Sequence, residues 1–454
     1  MRKLFGTDGI RGVAGQFPLD RKTVYATGLA LAHSLRKQTQ NPHVLLGMDT
    51  RESGAWIAAA LTHGLREGGA DTTSAGVIPT PGVAYLARAR GFSAGVVISA
   101  SHNPWQDNGI KVFGGDGYKL ADAVELAIEN EIFERLAQIQ EHDPSSAHAP
   151  AGDTSLPAAY IEFLRSQVPH LRLDGKTIVV DCANGAASAI APELFAHFGG
   201  KLVLTHTNPD GRNINEQCGA LHPEIVAKEV LAHHADLGMT FDGDADRALF
   251  ADERGQVVNG DAILLIAARD LQARNLLATN TVVATTMSNM GLEAALRSHK
   301  IRMLRAAVGD RYVLEEMQRS GAVLGGEQSG HILFLDRNTT GDGLLTALLV
   351  LDILHRSGQT LSALRSGLKV FPQVIVNVRV REKTPMESLP GVVAAIQEAK
   401  MDLNGSGRVV VRYSGTEALA RVMIEAESET LMQRHATRIA DAIRAELGAD
   451  STRD

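Results

Sequence analysis

The segment FDGDADR at residues 241–247 places three aspartates at alternate positions, Asp242, Asp244 and Asp246. Three carboxylates this close together repel one another unless a cation neutralises their charge. Because all the ligands on offer are oxygens, the pattern favours a hard cation, Mg²⁺ before Ca²⁺ or Mn²⁺. The flanking segments LGMTF and ALFADERG predict strands on both sides, so the loop is expected between buried segments.

Three other interpretations of this loop stay open on the residues alone. In an EF-hand, Glu253 would stand at the twelfth position, but the sixth position requires glycine and carries Arg247 here. A phosphatase whose own aspartate is phosphorylated, here Asp242, would also use a D-x-D pattern after an apolar strand. A solvated acidic turn is the simplest alternative, and the apolar flanks count against it.

A second candidate is the segment VVISASHNPW, residues 96–105, whose apolar run ends at Ser99 and continues through Ser101, His102 and Pro104. A hydroxyl beside an imidazole at a strand end fits a catalytic serine, although Ser, Asn and Pro are also ordinary turn residues. Lys111 follows in NGIKVF, where a strand-end lysine without a catalytic role is equally common.

Three further segments carry polar side chains on glycine-containing turns. RYSGTE (412–417) could hold a phosphate through its guanidinium, hydroxyls and main-chain N–H groups, and it is also consistent with a serine-capped β-turn. GGEQSGH (325–331) could bind sugar hydroxyls, although a plain hairpin turn explains it as well. The candidate residues on these segments and on FGTDGIRG (5–12) are Arg412, Ser414, Gly415, Thr416, Glu327, Ser329 and Arg11.

Three stretches repeat the order strand, loop and helix, and they begin at HVLLGMD (43–49), KTIVVDCANG (176–185) and NTVVATTMSNMG (280–291). After each, a second apolar run ends in one of the polar loops, in GVVISASHNP, LGMTFDGDADR and AVLGGEQSGH. The pattern predicts three similar α/β units, each a mixed sheet with helices on its faces. Open α/β sheets bind ligands beyond their strand ends, so these loops are expected at the functional site.

The predicted fold class is α/β, with three similar mixed-sheet domains and a smaller C-terminal α+β domain. The predicted boundaries are 1–153, 154–250, 251–368 and 369–454. Residues 141–157, EHDPSSAHAPAGDTSLP, are rich in Pro, Ser, Ala and His and predict a linker. The last domain is predicted from strands in PQVIVNVRV, GRVVVRYSG and ARVMIEAES and from helices in LPGVVAAIQEAK and 429–447.

Composition excludes several classes of protein. Of 454 residues, 44% are hydrophobic and 21% charged, as in ordinary globular chains, while the net charge of -7 and 4% aromatic content argue against a nucleic-acid partner. The start of the chain lacks the apolar run of a signal peptide, and Leu344 to Leu354 is too short to span a bilayer. Cys182 and Cys218 predict small buried residues in a reduced cytoplasm.

Five motifs, FGTDGIRG, SASHNP, DGDADR, GEQSGH and RYSGTE, resemble the α-D-phosphohexomutase superfamily, in this order and across the whole chain. GEQSGH and DGRNINEQCGALHPE (210–224) resemble the branch that acts on glucosamine phosphate. The resemblance implies four domains around a central cleft. It also implies an isomerase that interconverts glucosamine 6-phosphate and glucosamine 1-phosphate through glucosamine 1,6-bisphosphate, for synthesis of UDP-N-acetylglucosamine and cell-wall precursors.

The resemblance also implies a role for each candidate residue. Ser101 would carry a phosphate, and Asp242, Asp244 and Asp246 would hold one Mg²⁺, with an oxygen of phosphoserine 101 as a further ligand. Sugar hydroxyls would meet Glu327 and Ser329. The non-reacting phosphate would be held by Arg412, Ser414, Gly415, Thr416 and Arg421. The reacting phosphoryl group would be surrounded by Arg11, His102, Lys111 and Arg247, with Lys111 ranked before His102 as general base.

Three alternatives remain beside this function. One is a phosphomannomutase/phosphoglucomutase of the same fold, the second a metal-dependent phosphatase with Asp242 as nucleophile, and the third a non-catalytic sugar-phosphate sensor. The expected partner is a small phosphosugar, with neither nucleic acid nor membrane, and a homodimer is left open.

Overall fold

The structure is a computed structural model, and it describes residues 4–6, 8–138, 149–414 and 418–448. By their packing the residues form two compact units, one of residues 1–287 with 303–365 and the other of residues 288–302 with 366–454. The first unit contains three mixed α/β sheets and the second a small antiparallel sheet.

The first sheet has the strand order β1-β2-β6-β5-β3-β4, in which β3 runs parallel to β4 and β5 while the other neighbours are antiparallel. Buried apolar side chains of three of its helices pack against the sheet. The strands are β1 (Phe5–Gly6), β2 (Gly9–Val13), β3 (His43–Met48), β4 (Asp71–Val77), β5 (Ala94–Ile98) and β6 (Asp107–Gly114). The helices are α1 (Arg21–Arg36), α2 (Gly54–Glu67), α3 (Thr80–Ala89) and α4 (Asp122–Gln138).

The second sheet has the order β11-β10-β9-β7-β8, with β7 parallel to β8 and β9. Its strands β9 and β10 form an antiparallel pair. The elements are α5 (Ser155–Ser166), β7 (Thr177–Asp181), α6 (Ala191–Ala196), β8 (Lys201–Thr205), α7 (Pro223–Ala232), β9 (Leu237–Phe241), β10 (Ala248–Asp252) and β11 (Val257–Val258).

The third sheet has the order β13-β12-β14-β15, with β12 parallel and β15 antiparallel to β14. Its helices begin at polar capping residues, since Asn259 and Asp342 accept main-chain N–H groups in the first turns of α8 and α11. The elements are α8 (Gly260–Ala273), β12 (Thr281–Thr285), α9 (Met290–Ser298), β13 (Arg302–Ala306), α10 (Asp310–Ser320), β14 (Leu324–Gly326), β15 (Ile332–Phe334), α11 (Gly343–Ser357) and α12 (Leu361–Leu364).

The second unit is a three-stranded antiparallel sheet of order β16-β18-β17 packed against helices. Helix α9 follows β12 of the third sheet in the chain but packs with the second unit. Asn289 exchanges two hydrogen bonds with the main chain of Phe371, and the Met290 N–H donates to buried Glu425. Its other elements are β16 (Gln373–Arg379), α13 (Pro390–Leu403), β17 (Gly407–Tyr413), β18 (Leu419–Ala426) and α14 (Glu429–Leu447).

The sheets share one arrangement that positions the polar loops. In each, a parallel strand (β5, β9 or β14) ends in a short loop and returns as an antiparallel neighbour, with Ile98 opposite Ile110, Phe241 opposite Ala248 and Gly326 opposite Ile332. The loops SASHNP, DGDADR and EQSGH therefore occupy equivalent positions beyond the strand ends. The predicted three mixed α/β domains and smaller α+β domain are confirmed.

Of the predicted linker 141–157, residues 141–148 lie outside the described part, and Ser155 already begins helix α5, so a linker over its last three residues is wrong. The short polar side chains of that stretch suit a helix start as well as a loop. The domain boundaries stay a prediction.

Cys182 and Cys218 are free and buried, as expected.

Candidate functional site: a buried aspartate cluster beside Ser101

The three aspartates of the DGDADR loop converge in the interior of the first unit. Asp242, Asp244 and Asp246 are 0%, 0% and 6% exposed, and one carboxylate oxygen from each lies within 4.8 Å of the others. Asp244 Oδ1 is buried without a hydrogen-bond partner among the described residues. The solvated acidic turn is therefore wrong, and the EF-hand is wrong too because strands, not helices, flank the loop.

These carboxylates fit a divalent cation. Burial, together with the charges of Asp246 and Asp244, raises the pKa of Asp242 to about 8. Asp244 has a buried oxygen without a hydrogen-bond donor among the described residues, and the pKa of Asp242 lies near neutral pH. Both observations indicate a cluster that lacks positive charge. Oxygen-only ligands suit Mg²⁺, so the residues fit the predicted ion.

Ser101 faces this cluster directly. Its Oγ donates to Asp242 Oδ2 at 2.6 Å, and the residue is 1% exposed. Its backbone has a φ of 53°, a left-handed conformation that is uncommon for serine, and the Ser101 N–H donates to Ser99 Oγ. The strand therefore ends in a fixed turn that directs the hydroxyl at the aspartates.

Lys111, on strand β6, is 2% exposed and lies among three carboxylates. Its Nζ is 2.9 Å from Asp244 Oδ2, 3.0 Å from Asp8 Oδ2 and 3.5 Å from Asp246 Oδ2. Burial alone would lower the pKa of Lys111, but the attraction of Asp244 and Asp8 raises it well above the usual value. Lys111 is therefore a charged ammonium in this arrangement.

His102 lies beside Ser101, with Nδ1 at 3.3 Å from Ser101 Oγ. Burial and the positive charges of Arg247 and Arg11 lower the pKa of His102 to about 4. The imidazole is therefore neutral at neutral pH. Arg247 Nε lies 3.9 Å from carboxylate oxygens of both Asp242 and Asp246.

Alternating charges form a closed ring around this centre. His331 lies between Asp246 and Asp310. Lys119 forms ion pairs with Asp310 and Asp8. Asp8 also contacts Lys111, which closes the ring by its contact with Asp246. Asp246 and Asp310 raise the pKa of buried His331 to about 9, against the effect of burial. Each charge in the ring has an opposite neighbour, which lowers the cost of burying it.

A cavity of about 390 Å³ opens beside the ring within the first unit. Its walls contain five of the predicted residues: Arg11, His102, Asp246, Arg247 and Glu327. In the GGEQSGH loop, Glu327 Oε1 accepts the Gly309 N–H at 3.0 Å. Ser329 Oγ is buried, with no hydrogen-bond partner in the part of the chain that the structure describes.

The remaining predicted residues belong to the second unit. Arg412 on β17 stands directly opposite Arg421 on β18, and Ser414 follows at the end of β17. Side chains of directly opposite residues lie on the same face of a sheet, so the two guanidinium groups share one face. Gly415 and Thr416 lie outside the described residues.

The sequence did not single out several residues of the site. Asp8, Lys119 and Asp310 extend the ring, His331 contacts Asp246, and Thr80 Oγ1 donates to Asp244 Oδ2 at 2.6 Å. His331 and Asp8 lie inside motifs that were recognised, GEQSGH and FGTDGIRG, so their positions were a usable signal. Thr80 and Lys119 lie outside these motifs, and only the fold brings them to the site.

Comparison with known proteins identifies the family. Four models described as phosphoglucomutase/phosphomannomutase match the chain: alpha/beta/alpha domain I at residues 2–138, domain II at 158–255, domain III at 259–371 and the C-terminal domain at 375–442. The chain therefore belongs to the phosphoglucomutase/phosphomannomutase family of enzymes. Among the described residues, no helix combines the length and apolar character needed to cross a membrane.

Individual relatives agree with this assignment. The phosphoglucosamine mutase of Koribacter versatilis is 60% identical, over 99% of this chain and 98% of the relative. A phosphoglucomutase/phosphomannomutase family protein of Burkholderia thailandensis has a similar structure, with a TM-score of 0.75, 26% identity and 98% of each chain covered. The Aspergillus fumigatus N-acetylphosphoglucosamine mutase, in complex with GlcNAc-6P and magnesium, shares the fold with a TM-score of 0.61 and 20% identity over 98% of this chain and 96% of that one.

Gly243→Ala tests the packing of the metal loop against Ser101. A Cβ at Gly243 would lie 2.4 Å from the Ser101 carbonyl oxygen, so one of the two loops must move. We expect turnover to fall about 10²-fold, because small displacements at a reacting centre cost that much, with modest loss of thermal stability. Gly54→Ala is the control, since the atoms nearest to its added methyl belong to the flexible Met48 side chain. Equal turnover in both variants would contradict this expectation.

Proposed function

We propose that the chain is a phosphoglucosamine mutase that interconverts glucosamine 6-phosphate and glucosamine 1-phosphate. The observation that carries the proposal is the 2.6 Å contact between Ser101 Oγ and Asp242 within the buried aspartate cluster. The 60% identity to a phosphoglucosamine mutase supports glucosamine phosphate over mannose or glucose phosphate as substrate. The product would feed synthesis of UDP-N-acetylglucosamine, and the free cysteines suit a cytoplasmic enzyme.

In the proposed reaction, Ser101 carries a phosphoryl group in the active enzyme. Its P–O bond breaks at Ser101 Oγ while a new bond forms to the free hydroxyl of the sugar phosphate, which gives glucosamine 1,6-bisphosphate. The bisphosphate turns end for end, and its other phosphoryl group returns to Ser101. The proton of the sugar hydroxyl goes to a base. Lys111 is the first candidate from the sequence, but as a charged ammonium it has no lone pair to accept a proton. The neutral imidazole of His102, the second candidate, is therefore the base in this proposal.

The charges of the site suit this transfer. Phosphoryl transfer depends on positioning and on neutralising negative charge, and Arg11, Arg247 and Lys111 supply fixed cations at the aspartate cluster and the cavity. One Mg²⁺ held by Asp242, Asp244 and Asp246 would add positive charge next to the phosphoryl oxygens. The Ser329 hydroxyl, which has no hydrogen-bond partner among the described residues, and the carboxylate of Glu327 would meet sugar hydroxyls in either orientation of the intermediate.

The Ser101→Ala variant tests the phosphoryl carrier. We expect mutase turnover with glucosamine 6-phosphate and Mg²⁺ to fall to background while the thermal unfolding temperature stays near that of the parent. Ser93→Ala is a matched control, because it removes a hydroxyl hydrogen bond just before the same strand β5 and should leave turnover unchanged. Near-normal activity in Ser101→Ala with loss in Asp242→Asn would favour the phosphatase with an aspartate nucleophile.

The Arg412→Ala variant tests the proposed anion clamp of Arg412 and Arg421. A bidentate guanidinium–phosphate pair contributes roughly 1.5–3 kcal/mol per bond, so KM should rise by about one to two decades. Arg412→Lys should restore only part of the lost affinity, because an ammonium group cannot form the bidentate pair that a guanidinium forms with phosphate. Arg379→Ala, an exposed arginine on β16 opposite Leu419, is the control. A weakened clamp should also release more bisphosphate before the second transfer. If both KM and bisphosphate release are unchanged in Arg412→Ala, the proposed anion clamp is wrong.

A further inference from the structure

The main-chain carbonyls of Ser101 and Asn103 are held by the same two side-chain nitrogens. Arg51 Nη2 donates to them at 3.1 and 2.6 Å, and Asn215 Nδ2 donates to them at 3.0 and 3.2 Å. Each of these nitrogens has two hydrogens and each carbonyl oxygen two lone pairs, so the four bonds use the full capacity of both sides. We call these four hydrogen bonds the carbonyl clamp.

The clamp acts on a turn that is costly to maintain. A non-glycine residue in the left-handed conformation, as Ser101 is, costs about 1–2 kcal/mol and persists only where its surroundings fix it. The same carbonyl oxygen also packs against Gly243 of the metal loop, where a Cβ would lie 2.4 Å away. The position of Ser101 Oγ relative to Asp242 therefore depends on where the Ser101 carbonyl is held.

The two donors come from different parts of the first unit. Arg51 is 3% exposed and precedes α2, whereas Asn215 is 8% exposed and belongs to residues 206–219, which we call the brace loop. Buried Asp181 fixes both ends of the brace loop. Its Oδ1 lies 2.9 Å from His206 Nδ1, and its Oδ2 accepts the Gly219 N–H at 2.9 Å. Asn215 is thus presented to the Ser101 turn by an anchored loop.

We propose that Asn215 is a positioning residue for phosphoryl transfer, acting through the carbonyl clamp on the location of Ser101 Oγ. The inference rests on the proposed function, because it assigns Asn215 a role in the reaction of phosphoserine 101. A doubly charged phosphoserine repels the aspartates, and the clamp resists the resulting displacement of the turn. Since a misplacement of about 1 Å at a reacting atom can cost 10²-fold in rate, the loss should appear in kcat rather than KM.

The test compares two variants at position 215 with a control in the same loop. Asn215 has a φ of 58°, so Asn215→Gly removes the donor without adding backbone strain, and Asn215→Asp keeps the shape but presents oxygens to both carbonyls. The control is Asn213→Ala, which removes two side-chain hydrogen bonds within the brace loop, one donated to the Asn208 carbonyl and one accepted from the Asp210 N–H, and none to the Ser101 turn. Each purified full-length protein is first phosphorylated with labelled glucose 1,6-bisphosphate and Mg²⁺.

The measurement is the single-turnover rate at which label passes from Ser101 to glucosamine 6-phosphate, normalised to the fraction of protein that carries label. KM and the thermal unfolding temperature are measured for the same proteins. We expect transfer to fall about 10- to 100-fold in both Asn215 variants, with KM within about threefold of the parent and Asn213→Ala unchanged. A structural role alone would lower the labelled fraction or the unfolding temperature but not the normalised rate.

The outcomes separate the two proposals. If the parent protein takes no label on Ser101, the proposed function fails. If the parent transfers label and Asn215→Gly or Asn215→Asp does so within about twofold, the role of Asn215 is refuted while the function stands. An equal loss in Asn213→Ala would also refute it, because the effect would then belong to the brace loop as a whole.

Discussion

The burial of three carboxylates beside one hydroxyl is the constraint on which the rest of the site depends. Asp242, Asp244 and Asp246 cannot all be ionised in the interior without positive charge nearby. Lys111 offsets part of that charge, and the ring through Asp8, Lys119, Asp310 and His331 keeps each further charge paired. The residual negative charge suits a cation, and in the proposed function Ser101, which contacts Asp242, would bring a phosphoryl group to that cation.

The fold meets this constraint by using one loop position three times. In each α/β domain a parallel strand ends in a polar loop and returns antiparallel, so the three loops carry different chemistry at equivalent positions. The first loop presents Ser101, the second the aspartates and the third Glu327. Gly330 packs against the carbonyl of Ala248, at the start of β10, and Gly243 packs against the Ser101 carbonyl. A side chain at either glycine would force one of the two segments in contact to move.

Much of this could be predicted from the sequence, because its signals are local. Apolar runs that end just before the loops of Ser101 and Asp242 predict the strands and the loops. The order of the five motifs indicates the family. The residues that escaped prediction act across long separations: Thr80 reaches Asp244, Lys119 reaches Asp310 and Asn215 reaches Ser101. Threonine and lysine are common surface residues, and nothing in the local sequence of Thr80 or Lys119 marks these roles. Asn215 lies in the recognised segment DGRNINEQCGALHPE, but that segment does not predict a contact with Ser101. The start of α5 at Ser155 was missed because serine and proline suit both a linker and a first helical turn.

The most direct test of the account is the covalent state of Ser101. The protein is incubated with glucose 1,6-bisphosphate and Mg²⁺, its intact mass is measured, and a peptide map locates any modification. We expect the addition of one phosphoryl group, on Ser101, and its removal when glucosamine 6-phosphate is added. A protein that gains no phosphoryl group, or gains it on Asp242, would contradict the account.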